Sequence, residues 1–177
     1  MIDNNRNLRP DEKTIVNLVQ PRSRVLDIGC GDGALLYNLA RQKEIIGRGI
    51  ELSKEGVNTC VSKGLSVIQG NADTDLNYYP ENSFDYVILS QTLQATHRPK
   101  EVLLNLIRIG KRAIVSVPNF GHFKIRLKLL TMGQMPKTKL LNEPWYSTPN
   151  IHLCTILDFV QLCKELNLNL ESVIVLN

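Results

Sequence analysis

The chain has 177 residues, 43% of them hydrophobic and 21% charged, with a formal net charge of +4 at pH 7. This size and balance fit one globular domain and exclude a disordered or low-complexity polymer, since eleven Gly and eight Pro are ordinary usage. No apolar run reaches the roughly 18 to 20 residues that span a bilayer, and Met1-Ile2-Asp3-Asn4-Asn5-Arg6 lacks the apolar stretch of a secretion signal, so a soluble, cytoplasmic protein is expected.

The first predicted element is a helix over Asp11 to Val19, with Pro10 just ahead and two acids in the first turn, where they complement the positive helix end. A strand over Arg24 to Ile28 then runs directly into Gly29-Cys30-Gly31-Asp32-Gly33 and a helix over Gly33 to Arg41. A strand, a glycine-rich turn and a helix in that order form a ligand-binding loop: the backbone bends sharply, comes close to the ligand without a Cβ between, and offers free N–H groups. It is no P-loop, because G-x-x-x-x-G-K-[ST] is absent and no lysine lies in the turn. Its spacing is G-x-G-x-G, one residue short of the dinucleotide fingerprint G-x-G-x-x-G. Charge separates the ligands further. Asp27 and Asp32 would repel a pyrophosphate but attract the sulfonium and ammonium of S-adenosylmethionine.

Next come a strand over Ile46 to Glu51, a helix over Lys54 to Lys63 and a strand over Ser66 to Gln69. Glu51, 20 residues after Gly31 and followed by Leu52, ends its strand where a carboxylate can accept from ribose hydroxyls. The third strand ends in Gly70-Asn71-Ala72-Asp73, a polar tip suited to an adenine edge. A fourth strand over Phe84 to Ser90 brings Ser90 beside the expected sulfonium position, and a helix over Lys100 to Ile109 leads to a fifth strand over Arg112 to Val117. This alternation predicts an α/β fold, a Rossmann-like, doubly wound and mostly parallel sheet with helices on both faces. The whole chain is read as one domain, in which 118–150 forms a lid or partner-docking insertion. That insertion is apolar and holds Phe120, Phe123, Trp145 and Tyr146, and its Phe120, Phe123, Leu127 and Leu130 fit one helical face, so a helix is expected there. An amphipathic helix over Thr155 to Leu166 and a strand over Leu168 to Leu176 complete the reading.

Cys30, Cys60, Cys154 and Cys163 show no C-x-x-C spacing and read as packed, reduced thiols. His152 and Cys154 have no companions that would complete a tetrahedral set, so no metal site is assigned. Lys124, Arg126 and Lys128 are the one basic concentration, and by themselves give nucleic acid little support.

The glycine loop, Glu51 and Asn82-Ser83-Phe84-Asp85-Tyr86-Val87 resemble the class I S-adenosylmethionine-dependent methyltransferases. Nearly the whole chain also resembles the narrower MetW family of methionine biosynthesis proteins. The stretches that carry this are Leu89-Ser90-Gln91-Thr92-Leu93-Gln94-Ala95-Thr96, Ser116-Val117-Pro118-Asn119-Phe120-Gly121-His122, and Trp145 through Thr155. The resemblance implies a methyltransferase fold, a site for S-adenosylmethionine or S-adenosylhomocysteine, and a homoserine O-acyltransferase as partner. The expected cofactor-binding residues are Asp27, Gly29, Cys30, Gly31, Gly33, Glu51, Leu52, Asn71, Ala72 and Ser90. Two departures from the wider pattern stand out: Asn71 replaces the usual adenine-facing aspartate, and the last strand of a terminal antiparallel hairpin is missing from the sequence.

Methyl transfer from a sulfonium requires little beyond two ligands held in line, so no triad is demanded. Ser90, Gln91 and Thr92 are polar but poor bases, and His97, His122 and His152 are loop candidates; no catalytic residue is assigned. Two functions remain open, a cofactor-binding partner of the acyltransferase and an active small-molecule methyltransferase, the latter with an unidentified acceptor. A homodimer is also left open.

Overall fold

The computed structural model describes residues 8–135, 137 and 143–176. Helices α1 (Pro10–Leu18), α2 (Ala34–Lys43), α3 (Lys54–Ser62) and α4 (Pro99–Ile109) alternate with strands β1 (Arg24–Ile28), β2 (Ile46–Glu51), β3 (Val67–Gln69), β4 (Phe84–Ser90) and β5 (Gly110–Ser116). Helices α5 (Phe123–Met132) and α6 (Ile156–Glu165) follow. The expected α/β, Rossmann-like fold is therefore present. The five strands are all parallel in the order β3-β2-β1-β4-β5.

Two apolar layers flank the sheet, and strand alternation assigns residues to them. On one face Val25, Tyr86 and Ile88 pack with Ile15 and Val16 of α1 and with Leu35, Leu36 and Leu39 of α2. On the other Leu26, Ile28, Val87 and Leu89 pack with Val102, Leu103, Leu106 and Ile109, the apolar stripe of α4. Strands covered on both faces read as nearly continuous apolar runs, which is why β1 and β4 were legible. Asp27 interrupts that pattern: it holds a β1 position that alternation gives to the α1/α2 face, yet it is only 2% exposed.

The order reverses between β1 and β4, so the crevice at their carboxyl ends is the topological switch point of the sheet, where ligands bind in such folds. Backbone hydrogen bonds tie two parts of the segment that follows β5, one to the other and to the rest, while 136 and 138–142 of the 118–150 insertion lie outside the described residues. Phe120 N–H donates to the Cys154 carbonyl at 3.0 Å, and the N–H groups of Ile151 and His152 both donate to the Gln94 carbonyl at 2.9 Å.

One expectation is corrected. Leu168 to Leu176 forms no strand; it runs irregularly past β5, linked there by Glu171 to Arg112 at 3.3 Å. Apolar, β-branched composition favours a strand only where a neighbour completes the ladder, and β5 pairs only with β4 among the described residues. The helix expected in the insertion is present as α5, and the face that carries Phe123, Leu127 and Leu130 points outward. Phe123, Leu127 and Leu130 are 65%, 57% and 84% exposed, while Ile125, on the other side, is buried.

Candidate functional site

The loop after β1 owes its spacing to backbone conformation. Gly29, Gly31 and Gly33 have φ of +70°, +58° and +77°, the left-handed region, so every second residue must be one that tolerates it. Packing adds a second demand at the ends of the loop. A Cβ on Gly29 would lie 2.6 Å from Thr92 Oγ1, and one on Gly33 would lie 2.5 Å from Leu65 Cδ1 and 2.8 Å from Cys60 Sγ. At Gly31 a Cβ would meet nothing within 4 Å, because this residue faces open space.

That space is a cleft of about 120 Å³ lined by Arg9, Glu12, Asp27, Gly29, Cys30, Gly31, Asp32, Leu35 and Ser90. Small-molecule sites run to roughly 300 to 1,000 Å³, so this volume suits one end of a ligand. Of the expected residues, the fold brings Asp27, Gly29, Cys30, Gly31 and Ser90 together around it. Glu51 stands behind the loop: its carboxylate accepts from Gly31 N–H at 2.8 Å and from Ser53 N–H at 2.9 Å. Gly33 is the turn into α2 and does not line the cleft. Leu52, Asn71 and Ala72 lie outside it, at the tips of β2 and β3. Leu52 is exposed, and Asn71 Oδ1 already accepts from Asp73 N–H at 2.9 Å.

The sequence reading missed the contribution of α1. Its first turn folds over the strand tips, so Asp11 Oδ2 accepts from Ser90 Oγ and from Ser116 Oγ, each at 2.9 Å. Arg9 reaches into the same place, with Nε 3.2 Å from Asp11 Oδ1 and Nη2 2.7 Å from Ser90 Oγ and 3.0 Å from Glu12 Oε1. The available signal was Arg9-Pro10-Asp11-Glu12, charged residues at a helix start that helix-end electrostatics explained fully enough to hide a second role.

Three of the lining side chains, Glu12, Asp27 and Asp32, are acidic and one, Arg9, is basic. Asp27 Oδ2 is buried with no hydrogen-bond partner among the described residues. Burial, then the charges of Glu12 and Glu51, push its carboxyl up to about 7, with Arg9 opposing them. Glu12 is also raised, by burial first, against the Arg9 N–H bond and charge. Burial works against ionisation of Asp11 as well, but Arg9, Ser90 and Ser116 outweigh it and hold that carboxyl below its ordinary value. Asp32 is lowered too, because Lys63 and the Ala34 N–H overcome a modest burial. Cys30 is raised by burial and by Asp27, so it stays a neutral thiol, with its Sγ 4.0 Å from that of Cys60.

Ser90 and the three histidines are not placed as bases in the cleft; its lining carboxyls held above their ordinary values are Asp27 and Glu12. Ser90 accepts from Arg9 and donates to Asp11, and none of His97, His122 and His152 lines the cleft. His97 and His152 are exposed, while His122 caps α5 by accepting from Lys124 N–H at 3.3 Å. The arrangement can bind and orient a ligand, and Asp27 and Glu12 are the lining carboxyls shifted toward neutral pH, where they can exchange a proton.

Comparison with known proteins agrees with this reading of the fold. The model of the family described as methionine biosynthesis protein MetW matches residues 9–177. The bifunctional methionine biosynthesis protein MetXA/MetW of Rhodopirellula baltica is 33% identical over 174 residues, 93% of this chain and 28% of that one. The present chain thus spans little more than a quarter of that relative. Among solved structures, a possible histamine N-methyltransferase of Thermotoga maritima, an S-adenosylmethionine-dependent enzyme, superposes with TM-score 0.64 at 20% identity, covering 88% of this chain and 68% of that one. The cyclase SpnF does so with TM-score 0.64 at 19% identity, covering 88% and 56%. Such identities establish a shared fold, and a fold that carries both methyl transfer and cyclisation leaves the chemistry to the residues of each site.

Proposed function

The chain belongs to the MetW family of methionine biosynthesis proteins, and from that premise we propose that its cleft binds S-adenosylmethionine or S-adenosylhomocysteine and that the protein acts through a homoserine O-acyltransferase partner. The observation that carries the ligand assignment is Asp27, a buried carboxylate with an unpartnered oxygen on a cleft beside left-handed glycines. A buried acceptor without a donor is costly, and a ligand ammonium relieves it. The residues fit the rest of the group. The loop from Gly29 to Gly31 lets a ligand approach the backbone, Glu51 retains lone pairs for ribose hydroxyls, and Ser90 marks the sulfur end. Leu52, Asn71 and Ala72 offer an apolar and amide surface to adenine, with Asn71 accepting through a carbonyl already shared with Asp73. When bound, S-adenosylmethionine supplies an activated methyl group; this chain's residues bind and orient it.

The partner assignment rests on the Rhodopirellula relative, which joins a MetXA part and a MetW part in one polypeptide. The docking surface assigned to it is the outward face of α5, Phe123, Leu127 and Leu130, flanked by Lys124 and Arg126. Calorimetry with both ligands, repeated with the acyltransferase present, tests the two halves separately. A tenfold shift in affinity corresponds to about 1.4 kcal/mol of coupling. Absence of heat with either ligand ends the cofactor assignment. Failure to co-elute, with an unchanged acyl-transfer rate on mixing, ends the partner assignment. The alternative, an active small-molecule methyltransferase, is favoured by the intact glycine loop, and a methylated product from a metabolite panel would establish it.

A further inference from the structure

We propose that the turn from Ser90 to Gln94 relays occupancy of the cleft to the segment 150–154, and through it to the start of α5, so that the surface assigned to the partner opens less often when ligand is bound. The inference rests on the cofactor and partner readings above and deepens them by naming the connection between the two sites.

The turn makes contacts on both sides. At one end Ser90 lines the cleft, and Thr92 lies so close to the glycine loop that a Cβ on Gly29 would sit 2.6 Å from Thr92 Oγ1. At the other end the Gln94 carbonyl accepts from Ile151 N–H and His152 N–H, each at 2.9 Å. Segment 150–154 in turn holds the approach to α5: the Cys154 carbonyl accepts from Phe120 N–H at 3.0 Å, and a Cβ on Gly121 would lie 2.9 Å from Thr155 Cγ2. His122, the next residue, caps α5. Three stretches remote in sequence, 90–94, 119–122 and 150–155, thus form one contiguous set of contacts from the cleft to the exposed helix.

Two features show that the turn is held at a cost. Gln91 has φ of +51°, and left-handed backbone is disfavoured at a residue with a Cβ. Its N–H is held by Ser116, donating to the carbonyl at 3.0 Å and to Oγ at 3.1 Å. Gln94 is 5% exposed; its Nε2 donates to the Gln91 carbonyl at 2.7 Å, while its Oε1 is buried with no donor among the described residues. A buried acceptor left without a donor carries its full desolvation penalty. An element with two such penalties shifts readily between arrangements, and a ligand packed on Ser90 and Gly29 restrains it to one. The segment bonded to Gln94 then opens less often. A purely structural turn, serving only to seat 150–154, would leave that opening independent of the ligand.

Amide hydrogen exchange on the full chain, with and without saturating S-adenosylhomocysteine, tests the relay. In the wild type, exchange at Ile151, His152 and Phe120 should slow by about tenfold or more with ligand. Gln94→Met keeps the backbone carbonyl and the side-chain length but neither the bond to Gln91 nor the unpartnered oxygen. There the slowing should fall below about threefold, while ligand affinity stays within about threefold of wild type. Gln94→Asn, too short to reach the Gln91 carbonyl, should behave alike, and it covers the case in which the Met variant unfolds. Ligand-independent exchange at the three amides of the wild type overturns the inference and leaves the cofactor reading standing. Rates equal to those of the core amides of Val87 and Ile88, which would make the opening global unfolding, do the same, as does a folded Gln94 variant that keeps the full slowing. Slowing without co-elution of the acyltransferase supports the relay and removes the partner. If the ligand does not bind the wild type, the cofactor reading fails, and the inference with it.

Discussion

Replacing Asp27 with Asn should make the ligand-free protein gain stability relative to the wild type as pH rises toward about 7, the gain then staying constant. The folded carboxyl titrates at about 7 against an ordinary 3.8, because burial and the Glu12 and Glu51 charges penalise its ionised form. The folded state therefore keeps a proton that the unfolded chain has already lost. Stability is full below pH 3.8, falls as pH rises through the interval, and levels off above about 7, the opposite of a salt-bridged aspartate. The gap between the two values corresponds to about 4 kcal/mol in total, of which about 2.5 kcal/mol is lost between pH 5 and pH 8. Asn keeps the shape and does not ionise. Any constant cost of its amide cancels when the two proteins are compared at two pH values, and Arg9, Glu12, Glu51 and Cys30 surround the site in both. Urea denaturation of wild type and Asp27→Asn at pH 5 and pH 8 gives the answer as a difference of differences. The variant should gain on the wild type by about 2 kcal/mol across that range and should lose affinity for S-adenosylmethionine. A stability gap that stays flat with pH would show that Asp27 is ionised and solvated in the folded protein, and would remove the basis for a ligand ammonium there.

Gly31 and Gly33 should respond differently to substitution. Gly31→Ala meets only its φ of +58°, costing about 1–2 kcal/mol of unfolding free energy by urea denaturation while weakening S-adenosylhomocysteine binding; Gly33→Ala also strikes Leu65 and Cys60 and should cost more. Glu51→Ala removes the acceptor of Gly31 and Ser53 N–H groups, so calorimetry should show binding lost together with about 1–2 kcal/mol of stability. Leu106→Ala, in the core beneath α4 and remote from the cleft, should cost about 2–5 kcal/mol with ligand affinity unchanged in the folded fraction. Leu130→Glu, on the exposed face of α5, should leave thermal stability within about 0.5 kcal/mol and abolish co-elution with the acyltransferase; retained co-elution would remove that face from the interface.

How much of this was legible depended on how locally each feature is encoded. The five strands and four of the helices around them follow from period-two and period-3.6 patterns, and the loop glycines at 29, 31 and 33 follow from dihedral demands written into single residues. The position of Glu51 was also readable, because it is counted from the loop along one strand-helix-strand unit. Its partners were not, since Gly31 and Ser53 satisfy it only after β2 aligns beside β1.

Features that depend on distant partners escaped the sequence. Ser90 and Ser116 lie 79 and 105 residues from Asp11, and only the closure of α1 over the strand tips turns three ordinary polar residues and Arg9 into one cluster. The outward face of α5 and the irregular course of 168–176 belong to the same class, because helical or strand pattern does not say which face finds a neighbour. By itself the sequence determined the sheet, the glycine turn and the acidic character of its surroundings, since these depend on local backbone preference and residue charge. Tertiary structure alone decided that Asp27 is isolated, that Arg9 is fixed beside it and that a cleft lies between, because desolvation and hydrogen-bond satisfaction exist only once remote segments pack together.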